Sequence, residues 1–229
     1  MGSEWVTPTL WHGERLPPLE QRTWPIPFVI KANNGSSWNF FVRQESDLDW
    51  KRIESLTAEW QSHRYGAEWG EWLYGEIVPA LLVEPFIGEL CELPVDYKLW
   101  TFGGKVQIVQ TATDRYSELK CTMFDTNWDR LPVKIAAYPS DPRPIPKPVS
   151  LSRMIEAVEI LAEDLPFVRI DFYEVDNVPK FGEMTFYPGA GIDGFDPPEW
   201  EVKLGKLWPK GTYAANARRK FGFRTVAGS

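Results

Sequence analysis

Arg169 and Asp171 stand two apart in one β-rich run, residues 167–173, and Glu183 and Thr185 stand two apart in another, residues 178–186. The connector holds Asp176, Asn177 and Pro179, all common turn residues, so the runs are expected to form an antiparallel hairpin. Residues two apart on a strand point to the same face, and one face of this hairpin can therefore gather all four side chains. Two carboxylates and a hydroxyl are hard oxygen ligands suited to Mg²⁺, which takes one or two carboxylates and leaves its other positions to water and phosphate. Arg169 beside them suits bidentate capture of an anion. An ordinary sheet surface with alternating charges would show the same residues. Favouring a site is the turn that follows at once, Tyr187-Pro188-Gly189-Ala190-Gly191, where backbone can approach a ligand closely.

A second set lies near the start. Residues 28–31 read as a strand, 33–37 as a loop and 38–42 as the return strand. Gly35 permits unusual φ, while Ser36 and Ser37 add hydroxyls and N–H groups to a concavity able to bind phosphate oxygens, with Lys31 supplying charge. A plain turn fits this pattern equally well.

Residues 1–27 carry five prolines, a density that forbids a long helix and reads as an extended connector lying over another part of the chain. Residues 47–62 read as a helix with Asp47 as N-cap and Leu48, Ile53, Leu56 and Trp60 on its buried stripe. The Trp- and Gly-rich stretch 63–75 is either a flap or an ordinary packed loop. Residues 79–87 form a continuous apolar run, expected as a fully buried strand ending at Glu84-Pro85. Gly103-Gly104 makes a two-residue turn between strands that begin at Asp96 and Val106. A second proline cluster spans 139–148, and a helix capped by Ser150 runs to Glu163, burying Met154, Ile155, Val158 and Leu161. A short helix opens near Asp196-Pro197-Pro198, and residues 218–224 are basic. Arg115, in a loop, is a further candidate for phosphate contact.

Together the Arg-x-Asp strand, the Glu-x-Thr strand and Pro188-Gly189 resemble the ATP-grasp superfamily, in which Asn usually stands at the Thr185 position. That departure, Phe181-Gly182 and the Trp-rich middle resemble its TupA-like branch, named for teichuronopeptide biosynthesis. The resemblance covers about residues 5–210 and implies an α+β ATP-grasp fold whose two subdomains, each with mostly antiparallel sheet, grip nucleotide between them. It implies divisions at 1–27 (connector), 28–87 (first subdomain), 88–210 (second subdomain) and 211–229 (basic tail). Lys31 and Gly35-Ser36-Ser37 match the phosphate-binding strand and loop. Glu84 and the backbone of Phe86 and Ile87 match the hinge that reads adenine, with Glu89 the weaker choice for the ribose. Lys98 matches a phosphate-binding lysine, Arg169 and Lys98 are the catalytic candidates, and Asp171, Glu183 and Thr185 the Mg²⁺ ligands. ATP and Mg²⁺ are the implied cofactors. The implied reaction is amide formation through an acylphosphate, in assembly of a cell-envelope or exopolysaccharide polymer, with an amino acid and a sugar acid or glycan as expected substrates. The family's entry helices are not matched, which implies an N-terminally truncated chain or a partner chain completing the acceptor pocket.

Composition bounds this reading. With 229 residues the chain can bury a sizeable core, and its net charge of −7 argues against nucleic acid. Two cysteines, Cys91 and Cys121, lack metal-ligand spacing and suit a reducing, cytoplasmic setting; no apolar run reaches membrane-spanning length. Twelve tryptophans, expected mainly in cores, also keep open a carbohydrate-binding module without nucleotide. An ATP-grasp protein that binds nucleotide without turnover is the remaining alternative.

Overall fold

The structure is a computed structural model that describes residues 2–88, 93–115 and 117–209. The chain divides into two compact units, an N-terminal unit of residues 6–93 and a C-terminal unit of residues 2–5 and 94 onward.

In the N-terminal unit, β1 (Trp11–Gly13), β2 (Phe28–Ala32), β3 (Asn39–Val42) and β4 (Leu81–Pro85) form one antiparallel sheet in the order β1-β4-β2-β3. Phe28 and Ile30 of β2 pack with Val42, Leu81 and Val83 and with Ile53 and Trp60 of helix α1 (Trp50–Ser62). The cap of α1 is Asp49, whose carboxylate accepts from the Arg52 N–H at 3.0 Å. Asp47, the expected cap, instead closes the preceding 3-10 turn by accepting from the N–H groups of Arg43 and Gln44. Two further readings change. The connector expected at residues 1–27 contributes a strand of its own, because β1 pairs with β4 and Trp11, Leu16, Trp24 and Ile26 pack on this core. In β4, Leu81 and Val83 are buried while Leu82 and Glu84 are only partly so; the strand alternates because only one face meets the core. The stretch 63–75 folds into short 3-10 turns, Ala67–Trp69 and Trp72–Glu76, with Trp69 and Trp72 exposed.

The C-terminal unit is built on an antiparallel sheet of order β10-β9-β5-β6-β7. Its strands are β5 (Asp96–Phe102), β6 (Lys105–Thr113), β7 (Lys120–Phe124), β9 (Phe167–Val175) and β10 (Val178–Thr185). A small pair, β8 (Lys134–Ile135) with β11 (Phe195–Asp196), lies outside it. Tight turns join β5 to β6 at Gly103-Gly104 and β9 to β10 at Asp176-Asn177; all four residues have positive φ, as a two-residue hairpin turn requires. Helix α2 (Leu151–Leu161) buries Leu151, Met154, Ala157 and Val158 against Leu99, Val109, Ile170 and Phe172 on one sheet face. Ile155 and Leu161, expected in that stripe, are only partly buried, and the Ser150 side chain makes no cap bond. On the other face Trp100, Phe102, Ile108 and Phe167 pack with Leu204 of α3 (Glu199–Leu207), which leaves the rest of that face to polar residues. Among the described residues no helix is long and apolar enough to cross a membrane.

The proline-rich crossing at 139–148 is pinned by Asp141, which is 1% exposed. Its carboxylate accepts from the Arg143 guanidinium at 2.6 and 2.8 Å, the Arg143 N–H at 3.0 Å and the Thr113 hydroxyl at 2.8 Å. These bonds, the Arg143 side chain first, hold the Asp141 carboxyl well below the usual carboxylate range. A depressed carboxyl stabilises the fold fully above its unfolded pKa of about 3.9, and that contribution disappears as pH falls toward the folded value. Asp141→Asn should therefore lower stability at pH 7 and flatten the loss of stability below about pH 4, read by urea unfolding across pH; equal slopes in parent and variant would refute this role.

Candidate nucleotide and phosphate site

On the polar part of the β5-β9 face, the register sets Lys98 opposite Asp171 and Asp96 opposite Tyr173. Asp171, 2% exposed, accepts from Arg169 Nε at 2.7 Å and Nη2 at 2.8 Å, and from Lys98 Nζ. Arg169 Nη2 also reaches Glu183 at 3.1 Å and the Thr185 hydroxyl at 3.0 Å. The hairpin thus brings together the four residues its spacing predicts. It does so through a break in register between Phe181 and Met184, which turns Phe181 onto the Phe172 side and sets Thr185 opposite Arg169. Gly182 occupies the break, where a Cβ would stand 3.1 Å from the Asp171 carbonyl oxygen.

Asp96 and Tyr173, to which the sequence assigned no site role, complete this cluster, and Gln110 lies beside it. Asp96, 1% exposed, accepts from Lys98 Nζ at 2.7 Å and from Arg115 Nη1 at 2.8 Å. The Tyr173 hydroxyl accepts from the same Arg115 nitrogen at 3.1 Å. Gln110, across from Lys98, takes the Trp100 indole N–H. The signal for Asp96 and Tyr173 was present, since each lies two residues from a predicted site residue on its own strand. Arg115, the loop candidate for phosphate contact, is thus a partner of Asp96. Burial pushes the Asp96 carboxyl up, Lys98 opposes this, and the charge of Asp171 adds to it. Burial alone would lower Arg169, but the charge and hydrogen bonds of Asp171 outweigh it and hold it above its ordinary value. Glu183, although its side chain is 63% exposed, sits above the usual range, through loss of solvent on its inner side first and Asp171 second.

In the N-terminal unit, Lys31 Nζ meets Glu84 at 2.5 Å, with 41% and 17% of the side chains exposed. Lys31 was expected free for phosphate; instead the antiparallel register places it diagonally across from Glu84, and the two charges pair. Ser36 and Ser37 are exposed at the loop tip. The positive φ of the loop belongs to Ser37, at 61°, rather than to Gly35. Gly35 is needed for space, because a Cβ there would meet the Trp38 ring at 2.4 Å. Asn34 anchors the loop by donating to the Trp60 carbonyl at 3.2 Å, and Trp38 stacks on Trp60. At the hinge stretch, the Phe86 N–H donates to the Pro27 carbonyl at 3.1 Å, so of the expected adenine-reading groups that one is already engaged. Glu89 lies outside the described residues.

Asp171, Glu183 and Thr185 are the right donors for Mg²⁺ in type, and they lie within one cluster. Here Arg169 and Lys98 compensate the carboxylates, and among the described residues no group of three or more acidic, His or Cys side chains is arranged to hold a metal.

The TupA-like ATPgrasp family matches residues 1–208, and the chain belongs to that family. Among solved structures, D-alanine–D-alanine ligase from Bacillus anthracis complexed with ATP superposes with a TM-score of 0.54 at 13% identity, over 94% of this chain and 62% of that one. The Helicobacter pylori D-alanine–D-alanine ligase gives 0.41 at 18% identity, over 75% and 42%. The likeness to the first establishes an α+β ATP-grasp fold, and the chain spans less than two thirds of either ligase. No curated protein matches the sequence.

Asp96 is the carboxylate that Lys98 and Arg115 share, so Asp96→Ala leaves Lys98 with Asp171 as its remaining counter-charge and takes from Arg115 its bond to Asp96. Loss of about 1.5 to 3 kcal/mol is expected, the scale of hydrogen bonds to a charged group, measured by urea denaturation. A loss under about 1 kcal/mol, the scale of an exposed pair, would show that the network does not depend on it.

Proposed function

We propose that this protein is an ATP-dependent carboxylate–amine ligase. The observation that carries the reading is the convergence of Lys98, Arg169, Asp171, Glu183 and Thr185 on one rigid sheet face in a chain of the ATP-grasp family. In the reaction a carboxylate oxygen of one substrate attacks the γ-phosphorus of ATP and ADP departs. The amine of the second substrate then attacks the acyl carbon, phosphate departs with the C–O bond electrons, and the nitrogen gives up its proton.

Phosphoryl transfer of this kind asks a protein mainly for positioning and charge. Lys98 and Arg169 are assigned to phosphate oxygens; they would exchange part of their hold on Asp171 for the incoming anion. Asp171 and Glu183, with Thr185, are the assigned Mg²⁺ donors, and bound there the ion supplies charge neutralisation for the phosphates. Fit is supported by donor chemistry and by Glu183, which is exposed and tied only through Arg169 and Thr185 among the bonds described. Lys31 and the Gly35-Ser36-Ser37 loop are assigned to phosphate, Glu84 to the nucleotide, and Ile87 and the Phe86 carbonyl to the adenine edge. Arg115, bound to Asp96, is assigned to support rather than to phosphate. Membership of the TupA-like family suits cell-envelope or exopolymer synthesis, the role its resemblance implies, with an amino acid and a sugar acid as the proposed substrates, and consumption of ATP suits a cytoplasmic setting. Binding without turnover is the second reading, favoured by the engagement of both Asp171 oxygens by Arg169 and Lys98.

Calorimetry with MgATP and release of ADP in the presence of pooled amino acids and sugar acids separate these readings. Lys31→Met should weaken MgATP binding by roughly 1.5 to 3 kcal/mol, the scale of a charge-assisted hydrogen bond; parental affinity would remove Lys31 from the site. Glu183→Gln should cut Mg²⁺-dependent ADP release by at least about 100-fold, since even groups behind a metal ligand cost 10- to 100-fold, while the unfolding midpoint stays near that of the parent. Undiminished release from this variant would sink the metal assignment.

A further inference from the structure

A cavity of about 450 Å³ lies within the N-terminal unit, between the chain preceding β2 and the side of α1, and none of its lining residues belongs to the nucleotide candidates. Arg15 and Arg22 line it from the first segment, and Glu54, Thr57, Gln61 and Ser62 from the helix. The volume is that of a small-molecule site. Arg22 is fixed in place: its Nε donates to the Pro17 carbonyl at 2.7 Å, its Nη2 pairs with Glu54 at 2.7 Å, and its guanidinium lies 4.8 Å from the Trp50 ring centre. Its side chain is 6% exposed, yet Nη1 is buried with no hydrogen-bond partner among the described residues. A guanidinium nitrogen in that position calls for an acceptor, because desolvated donors are costly to leave unmet.

We infer that this cavity is a binding site for a small carboxylic acid that also carries hydroxyl or amino groups. Two guanidinium groups against the one carboxylate of Glu54 leave a single positive charge, which balances a monoanion and leaves a phosphate dianion with an uncompensated charge beside Glu54. The flat fork of a guanidinium suits carboxylate geometry. The Thr57 hydroxyl donates back to the Ile53 carbonyl at 2.9 Å and the Ser62 hydroxyl to that of Glu59 at 2.9 Å, so both oxygens keep lone pairs for donors on a ligand. Acceptors for ligand hydroxyls and a cation for its carboxylate thus line one cavity. The site adjoins the last turns of α1, whose Trp60 carbonyl anchors Asn34 of the Gly35 loop.

The test is calorimetry on the full chain without nucleotide, using D-glucuronate, L-glutamate and inorganic phosphate as separate probes. Saturable binding of at least one carboxylate is expected, weakened about 10- to 100-fold by Arg22→Lys and by Arg15→Gln, as loss of a charge-assisted contact would give. Lys31→Met should leave it unchanged, which separates failure of this site from failure of the nucleotide assignment. Arg15 is exposed, so its variant keeps the test informative if Arg22→Lys unfolds. Absence of carboxylate binding up to about 10 mM, weaker than any useful small-molecule affinity, would overturn the inference. So would equal binding by parent and both arginine variants, or tighter binding of phosphate than of either carboxylate.

Discussion

The structure of the C-terminal unit depends on one constraint, the compensation of charges that strand pairing has buried. Asp96 and Asp171 are almost fully buried on the same sheet face, and Lys98 and Arg169, at 12% and 13% side-chain exposure, are the cations against them. Such a group tolerates little rearrangement, because removing one member leaves the rest desolvated and unpaired. That rigidity gives the phosphate candidates fixed positions. It also means that any anion arriving there must exchange with a carboxylate already in place, which sets a threshold that only a highly charged ligand passes easily.

The N-terminal unit solves the same problem more loosely. Lys31 and Glu84 form a single pair at its surface, with part of each side chain in water, so their mutual attraction is weak and readily given up. Its loop is held by packing instead: Trp38 covers Gly35, stacks on Trp60 and meets Tyr65 edge-on. Three rings and an asparagine therefore do for this loop what ion pairs do for the other site. The unusual tryptophan content divides between such packing, as in Trp5, Trp60 and Trp100, and the exposed Trp69 and Trp72.

Much of both sites was legible in the chain. Turn chemistry at Asp176-Asn177 and Gly103-Gly104 located the hairpins, and period-two spacing put Arg169 with Asp171 and Glu183 with Thr185 on common faces. The same spacing would have put Phe181 among those charges. Its place on the apolar face comes from the register break at Gly182, where backbone spacing across the pair leaves a Cβ only 3.1 Å from the Asp171 carbonyl oxygen. The alternation of β4 and the role of residues 10–26 were likewise illegible, since both follow from which neighbour covers each strand.

What the sequence by itself determined is the inventory: two carboxylates, a hydroxyl and an arginine on one hairpin, a lysine before a small-residue loop, and the turns that bring each strand back on itself. Those are local properties, set by side-chain chemistry and by the two-residue period of an extended backbone. Tertiary structure alone decided the pairings. Lys98 meets Asp171 across 73 residues, Lys31 meets Glu84 across 53, and Arg115 turns to Asp96. Each follows from strand order and register, which depend on how the whole sheet buries its apolar face, and a shift of one residue would send every one of these charges to the opposite side.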